Sequence, residues 1–411
     1  MLYTGDNINK REIMKNVLYT NDNLYVMNGM NSESVDLIYL DPPFNSKRMY
    51  SAPIGTKAAG ASFKDMWTWK DVDETQLETM TDKFPGLVDF IESAGRTYDK
   101  SMMAYLTYMA QRIIEMHRIL KNTGSIYLHC DPTASHYLKI LMDEIFGKNN
   151  FRNEIVWRYQ TGGVSKRWFG KKHDIILWYT KSDDYAFYPD AIRVPRTEKS
   201  LARIANPNGA RTQTLDKYSD DVFEIQALNA QAKERTGYPT QKPIALLQRI
   251  IKASTKPGDV VFDPFCGCAT ACVAAQQLGR HWIGIDIEKA AVGVLMERLR
   301  TDAGLFTDFV ATEIPPVRTD VVEEIITQSV KQRLFASQNG KCNGCGKEFD
   351  IHNFEVDHII PRAKGGGDYF ENYQLLCSNC NRIKGAHPME YLRTKIKYRE
   401  ETMKNKVVFG E

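Results

Sequence analysis

The chain has 411 residues, 43% of them hydrophobic and 26% charged, with a formal net charge of +3. That length suits two or three domains, and the balance belongs to a folded soluble protein rather than a disordered or fibrous one. No apolar run approaches the ~18 residues that a bilayer span needs. Met1–Asn7 offers no apolar signal core, so the expectation is a cytoplasmic protein with no membrane partner.

In chain order, the first clear strand is Val35-Asp36-Leu37-Ile38-Tyr39-Leu40, stopped by Asp41-Pro42-Pro43-Phe44, because two prolines cannot continue a ladder. Residues 45–100 are polar and irregular, with Gly55, Gly60, Pro85 and Gly86, and read as a long insertion and candidate lid. Met102, Leu106, Met109, Ile113, Met116 and Leu120 form one apolar helical stripe that Asn122-Thr123-Gly124 should end. Ser125–Cys130 follows as a buried-type strand. His129 and Asp131 fall at its end, where a ligand edge and plain packing explain them equally. A helix with Leu138, Leu141, Met142 and Ile145 inward comes next.

Glu154–Tyr159 and Ile175–Thr180 read as strands flanking a Gly/Lys/Arg loop from Thr161 to Lys172. Between Phe151 and Arg211 there are 12 Lys/Arg and 6 Asp/Glu, interleaved with Trp157, Tyr159, Trp168, Phe169, Trp178 and Tyr179. Such a surface suits phosphates and stacked bases; a solvated face beside a core strand is the plainer alternative. Ser182–Tyr238 lacks periodicity and reads as a variable recognition segment. Ile244–Ala253 (helix), Val260–Phe262 (strand), Ala269–Leu278 (helix) and His281–Ile285 (strand) then alternate, which argues for an α/β sheet with parallel strands.

Val260–Thr270 is a strand running into a glycine-bearing turn and a helix, and Asp286 ends the next strand 19 residues after Gly267. In Rossmann-like folds that acid accepts hydrogen bonds from a ribose, while the glycine lets backbone approach the ligand. One glycine cannot seat a pyrophosphate, so a nucleoside without phosphates is expected. Asp41-Pro42-Pro43-Phe44, Thr240-Gln241-Lys242-Pro243 and Asp263-Pro264-Phe265-Cys266-Gly267 occur in that order. Together they resemble a β-class DNA amino-methyltransferase across roughly residues 20–300. The resemblance implies S-adenosylmethionine as cofactor, with Phe265 and Gly267 shaping the methionine pocket, Asp286 on the ribose, Lys242 and neighbouring residues such as Pro243 approaching the methionine end, and Asp263 also in the cofactor site. The family usually has a second glycine where this chain has Ala269, and a methyl there is expected to narrow the pocket. Asp41 and a carbonyl of the Asp41-Pro42-Pro43 turn would hold the target amine, and Phe44 would stack the flipped base of double-stranded DNA. Asp before the prolines resembles the N6-adenine enzymes more than the N4-cytosine ones. The rival C5-cytosine chemistry needs a Pro-Cys nucleophile, and none of the 16 prolines precedes cysteine.

Of eight cysteines, Cys130, Cys266, Cys268 and Cys272 read as small buried residues; Cys342-x2-Cys345 and Cys377-x2-Cys380 have metal spacing. Between the pairs lie Asp357-His358, Gly365-Gly366-Gly367 and Asn372, and Asn381 follows Cys380. This resembles an HNH endonuclease of the ββα-metal type over roughly residues 332–390. The resemblance implies His358 as general base, Asn372 orienting its imidazole, Asp357 and Asn381 holding Mg²⁺, and the four thiolates holding a structural Zn²⁺. His352 and His387 are near enough to be alternative ligands, but read as surface residues. The expected domains are a methyltransferase over 1–312, with a recognition region at 160–240, a linker at 313–331, and an HNH domain over 332–411. Restriction and modification in one chain is the natural reading. The alternatives are a methyltransferase whose tail only nicks, or whose tail is a zinc-bearing DNA-binding module. One metal site implies that cutting both strands takes a homodimer or two visits.

Overall fold

The computed structural model describes residues 15–408 except 54, 57, 60–61, 69–71, 73–79, 82–83, 161–163, 205–213, 230, 303–308 and 322–325. Met1–Asn7, Gly60, residues 161–163 of the basic loop and Arg211 lie outside the described residues. The chain forms two compact units. One is Ser32–Thr312 with Met14–Asn23, and the other Glu313–Glu411 with Leu24–Asn31.

The strands, in chain order, are β1 (Val17–Tyr19), β2 (Val35–Leu40), β3 (Arg48–Ser51), β4 (Ser62–Asp65), β5 (Leu120–Cys130), β6 (Phe151–Arg158), β7 (His173–Thr180), β8 (Val194–Pro195), β9 (Asp216–Lys217), β10 (Val222–Glu224), β11 (Val260–Asp263), β12 (His281–Ile285), β13 (Val310–Thr312), β14 (Phe354–His358) and β15 (Tyr373–Cys377). The large unit is built on a nine-stranded sheet of order β10-β6-β7-β5-β2-β11-β12-β1-β13. All neighbours are parallel except β7, which runs antiparallel to both β5 and β6. β11 and β12 are parallel, as the alternation of strand and helix implies; β7 is antiparallel because its connection from β6, residues 159–172, is a hairpin, which reverses the chain. Parallel strands bury both faces and read as continuous apolar runs, which is why Val35–Leu40 and His281–Ile285 stand out in the sequence.

The helix Lys100–Ile119 carries the expected stripe. Asp99 caps it, its side chain accepting from Met102 N, and Met102, Leu106, Met109, Ile113 and Met116 are buried. Each buried side chain of this size stabilises by about 1.5–3 kcal/mol. The helix stops at Ile119, not at Asn122-Thr123-Gly124, because Leu120 is already extended and opens β5.

Residues 45–100 are more regular than their polarity suggests. β3 and β4 pair as a hairpin, and Pro85–Thr97 is a helix that starts with proline in its first turn and buries Leu87, Val88, Ile91 and Ala94. The recognition segment likewise holds β8 paired with β9, a short helix Glu198–Ile204, and β10, which adds to the edge of the main sheet. In the basic-aromatic region the aromatics divide. Trp157, Trp178 and Tyr179 are in the core, whereas Trp168 and Phe169 are exposed.

The smaller unit contains the antiparallel pair β14–β15 followed by the helix Ser378–Lys384, a ββα arrangement. The helix Gln328–Ser337, capped by Thr327, begins inside the stretch expected to be linker. Its core is Val330, Leu334, Phe354, Leu375, Leu376 and Leu392, joined by Cys342, Cys377 and Cys380. Leu24–Asn31 belongs here too: the Asn31 side chain pairs with the backbone N–H and the hydroxyl of Thr319. Among the described residues, no helix is long and apolar enough to cross a membrane.

Candidate active site

The carboxyl ends of β2, β11 and β12 lie side by side, so Asp41, Asp263 and Asp286 arrive at one edge of the sheet. That edge is where open α/β sheets bind ligands. A cavity of about 390 Å³ opens there, lined by Asp41, Pro42, Pro43, Phe44, Lys242, Asp263, Phe265, Gly267 and Asp286 among others. Residues more than 200 positions apart in sequence therefore share one wall.

Asp41 is held through Oδ2 by the Lys242 ammonium at 2.5 Å. Its other oxygen, Oδ1, is buried and has no hydrogen-bond partner among the described residues. An acceptor stripped of water costs free energy unless something donates to it, so this atom is poised for a donor from outside the chain. Lys242 is itself buried, and its ammonium is spent on the Asp41 carboxylate of the turn after β2. Pro243 does not line the cavity. It precedes the helix Ile244–Ser254, where its missing N–H goes unneeded.

Gly267 has φ +51°, and a Cβ there would lie 2.9 Å from the Tyr238 ring, so only glycine fits. Its N–H donates to Asp286 Oδ2 at 2.8 Å, and Glu288 N–H donates to Oδ1 at 2.8 Å. Burial outweighs these donors and pushes the Asp286 carboxyl up to about 6. Burial also carries Asp263 well above the usual carboxylate range, although Phe265 N–H bonds it. Ala269 takes the left-handed conformation (φ 58°) that explains why a glycine is usual there. Its methyl is fully buried in the core and does not line the cavity, which corrects the expectation of a narrowed pocket.

Side chains in and behind the cavity lining hold it in place, His129 among them, which the sequence put at the end of its strand. His129 is fully buried, with Nδ1 2.9 Å from the Tyr39 hydroxyl and Nε2 3.2 Å from Asp174, and its ring stacks on Phe44 at 6.2 Å. Asp65 binds the backbone N–H groups of Asn45 and Ser46 as the chain leaves the Asp41–Phe44 turn. Arg112, buried between Asn23 and Asp22, braces the opposite wall, where Asn23 also donates to Pro264 O.

In the smaller unit, the Sγ atoms of Cys342, Cys345, Cys377 and Cys380 all lie within 4.8 Å of one another. Four thiols at such distances fit one tetrahedral Zn²⁺. His352 and His387 are exposed and outside the quartet.

His358 ends β14, and its Nε2 pairs with Asp368 Oδ1 at 2.8 Å, not with Asn372. Asn372 instead clamps the loop after β14, accepting from Ile360 N and donating to Ile360 O and Gly367 O. The geometry explains this correction. The loop must close tightly enough that a Cβ on Gly366 would meet Ile360 O at 1.8 Å, and an internal amide is the group that pins both of its ends. Asp368 is held beside the imidazole by Arg362 as well. Burial opposes its ionisation, but these two cations or donors keep its carboxyl below the ordinary value.

Asp357 Oδ2 is bound by Lys384 Nζ at 2.9 Å and Gln374 Nε2 at 2.8 Å, and Asn381 donates to Glu355. The structure does not join Asp357 to Asn381 directly. Each keeps one carbonyl or carboxylate oxygen outside these bonds, which suits a hard cation that retains several waters.

Residues 35–297 match the DNA methylase family, and residues 342–387 match the HNH endonuclease family. The Type II methyltransferase M.BglII of Bacillus subtilis is 32% identical over 204 residues, covering 47% of this chain and 57% of that protein. M.HpaI of Haemophilus parainfluenzae is 34% identical over 199 residues, covering 48% and 60%. The DNA adenine methyltransferase YhdJ of Escherichia coli (strain K12) is 28% identical over 272 residues, covering 65% and 77%. The chain thus spans somewhat over half the length of the first two relatives. A family match across more than half of the 411 residues, centred on the cavity that gathers Asp41, Gly267 and Asp286, shows that this chain belongs to the DNA methylase family and carries a C-terminal HNH domain.

Proposed function

We propose that the large unit transfers a methyl group from S-adenosylmethionine to an exocyclic amine of a base in double-stranded DNA, with adenine N6 favoured, and that the HNH tail cleaves DNA. The buried, unpartnered Oδ1 of Asp41 carries the first reading, because it needs an N–H donor and sits in the cofactor-sized cavity.

The cavity suits the cofactor chemically. Six acidic side chains and one lysine line it, and even with burial favouring the neutral form of Asp263 the carboxylates outnumber the lysine, a setting that favours a sulfonium cation. Asp286 would accept from the ribose, and Phe265 and Gly267 would border the amino-acid end. The cofactor supplies an electrophilic methyl group. The chain supplies position: Asp41 Oδ1 and a carbonyl of the Pro42-Pro43 turn accept the two N–H bonds of the amine. They thereby favour a pyramidal nitrogen whose lone pair is free to attack. Lys242 fixes the Asp41 carboxylate, and Phe44, backed by His129, gives the flipped base a stacking face.

The raised Asp286 carboxyl makes cofactor affinity pH-dependent. An ionised acceptor binds a hydroxyl more strongly than a neutral one, and Asp286 loses its charge as pH falls through about 6. Affinity for S-adenosylmethionine is expected to weaken about fivefold between neutral and mildly acid pH, and Asp286→Asn should flatten that dependence. Isothermal titration across the range checks it. The same shift makes ionisation of Asp286 destabilising, so the ligand-free protein should lose a little stability as pH rises through the window between the ordinary carboxylate value and about 6.

In the tail, Asp357 and Asn381 would hold Mg²⁺, which supplies charge stabilisation at the scissile phosphate. His358 would take a proton from the attacking water, with Nε2 already committed to Asp368. Cleavage is tested on plasmid from a methylation-free host, with and without prior methylation by the His358→Ala variant. Cutting by the parent protein and none by His358→Ala is the expected result. Protection by methylation would make the chain a self-contained restriction-modification enzyme, whereas equal cutting of both plasmids would uncouple the two activities. Undiminished cutting by His358→Ala would remove the tail as the nuclease.

A further inference from the structure

The loop between β6 and β7 is rooted beside the base-stacking side chain. Tyr159 N–H donates to Lys172 O at 3.0 Å, closing the loop, and the Tyr159 hydroxyl reaches Asp174 at 3.2 Å. Asp174 binds His129, whose ring stacks on Phe44 and meets Trp157 edge-on at 5.5 Å. Beyond this root the chain carries Lys166, Arg167, Trp168, Phe169, Lys171 and Lys172, with no acidic residue from Gln160 to His173. Trp168 is 67% exposed and Phe169 fully exposed, while Ser165 Oγ accepts from Arg167 N and Trp168 N and turns the chain beneath them.

Two large aromatics stand mostly in water among four cations, Phe169 burying nothing and Trp168 only about a third of its surface. Their company is complementary to a phosphate backbone, and their chemistry to the faces of bases. From these placements we infer that Trp168 and Phe169 form a wedge that enters the duplex beside the target nucleotide and occupies the space its base leaves on flipping. The inference rests on the methyl-transfer reading. Apolar side chains inserted at a base step unstack it and recover contact in return. Here Lys166, Arg167 and Lys171 would set the loop on the backbone, and the aromatics would offset the stacking and pairing that extrusion gives up.

The test compares methyl transfer to a duplex with a paired target base and to one with the target opposite an abasic position, where little pairing remains to be broken. The Trp168→Ala/Phe169→Ala variant should lose about 10- to 100-fold in kcat/KM on the paired duplex and recover to near the parent rate on the abasic one. Fluorescence of 2-aminopurine at the target position should show less extruded base for this variant. A Lys166→Ala/Arg167→Ala variant should lose activity on both duplexes alike and show a shallower salt dependence. Full activity of the aromatic double variant on the paired duplex overturns the wedge, as does an equal loss on both duplexes. If the parent protein methylates neither duplex, the methyl-transfer reading falls and takes the wedge with it.

Discussion

Asp41→Asn should lower the rate of methyl transfer by about 10²- to 10³-fold, the usual loss when one preorganised group facing the transition state is removed. Asn is the informative replacement because its carbonyl can still accept from Lys242, the partner of Oδ2. Ala would leave the buried ammonium uncompensated, and breaking a buried pair that way costs about 3–5 kcal/mol, confounding catalysis with stability. With its carbonyl on Lys242, Asn places its NH2 at the position of Oδ1, a donor that repels the incoming N–H and cannot accept it. Single-turnover transfer of labelled methyl groups, with cofactor binding and the unfolding temperature measured alongside, checks the prediction. A rate close to the parent's would move catalysis away from Asp41.

Removing the metal from the cysteine quartet should unfold the HNH tail. The module is small, and three of its four cysteines belong to its core, with the Cys377 N–H donating to Cys342 Sγ at 3.2 Å. Burial works against ionisation at Cys342, yet the N–H groups of Cys345, Cys377 and Gly344 outweigh it and hold the thiol below its ordinary value. That environment is built for a thiolate, and thiolates so close together repel unless a cation binds them. Structural zinc contributes about 10–16 kcal/mol in comparably small modules, more than such a core supplies alone. Cys377→Ser, or a strong chelator, should therefore abolish DNA cleavage and the tail's cooperative melting. Zinc analysis of the parent should give one ion per chain. A Cys377→Ser protein that melts and cuts as before would show that the quartet stands without metal.

Much of the sheet could be read from the sequence because its central strands are uninterrupted apolar runs bounded by turn residues. Val35–Leu40 and His281–Ile285 coincide with β2 and β12 residue for residue. β1, β10 and β13 have three residues each, too few for any periodicity, and exist through pairing with neighbours far away in sequence. The helix Pro85–Thr97 hides among polar residues because only one narrow face is buried. At the site, motif order pointed to residues that the fold gathers around one cavity. What a sequence does not carry is pairing across distance: Lys242 on Asp41, or His129 between Tyr39 and Asp174. Asn372 shows the same limit, since an asparagine near a histidine reads as its partner until the loop that it clamps is seen.

The reversal of β7 has an evolutionary consequence. In an all-parallel sheet, every connection at the ligand edge leads from a strand into a helix. Here β6 ends and β7 begins at that edge, joined by a hairpin loop rather than by a helix entrance. Such a loop can lengthen, shorten or exchange its side chains while its two-strand base keeps register. On the methyl-transfer reading proposed above, the fold would keep its chemistry on rigid strand ends and leave the adjoining strip of surface open to rapid diversification, so descendants of this chain could acquire new target preferences without rebuilding the Asp41–Phe44 turn.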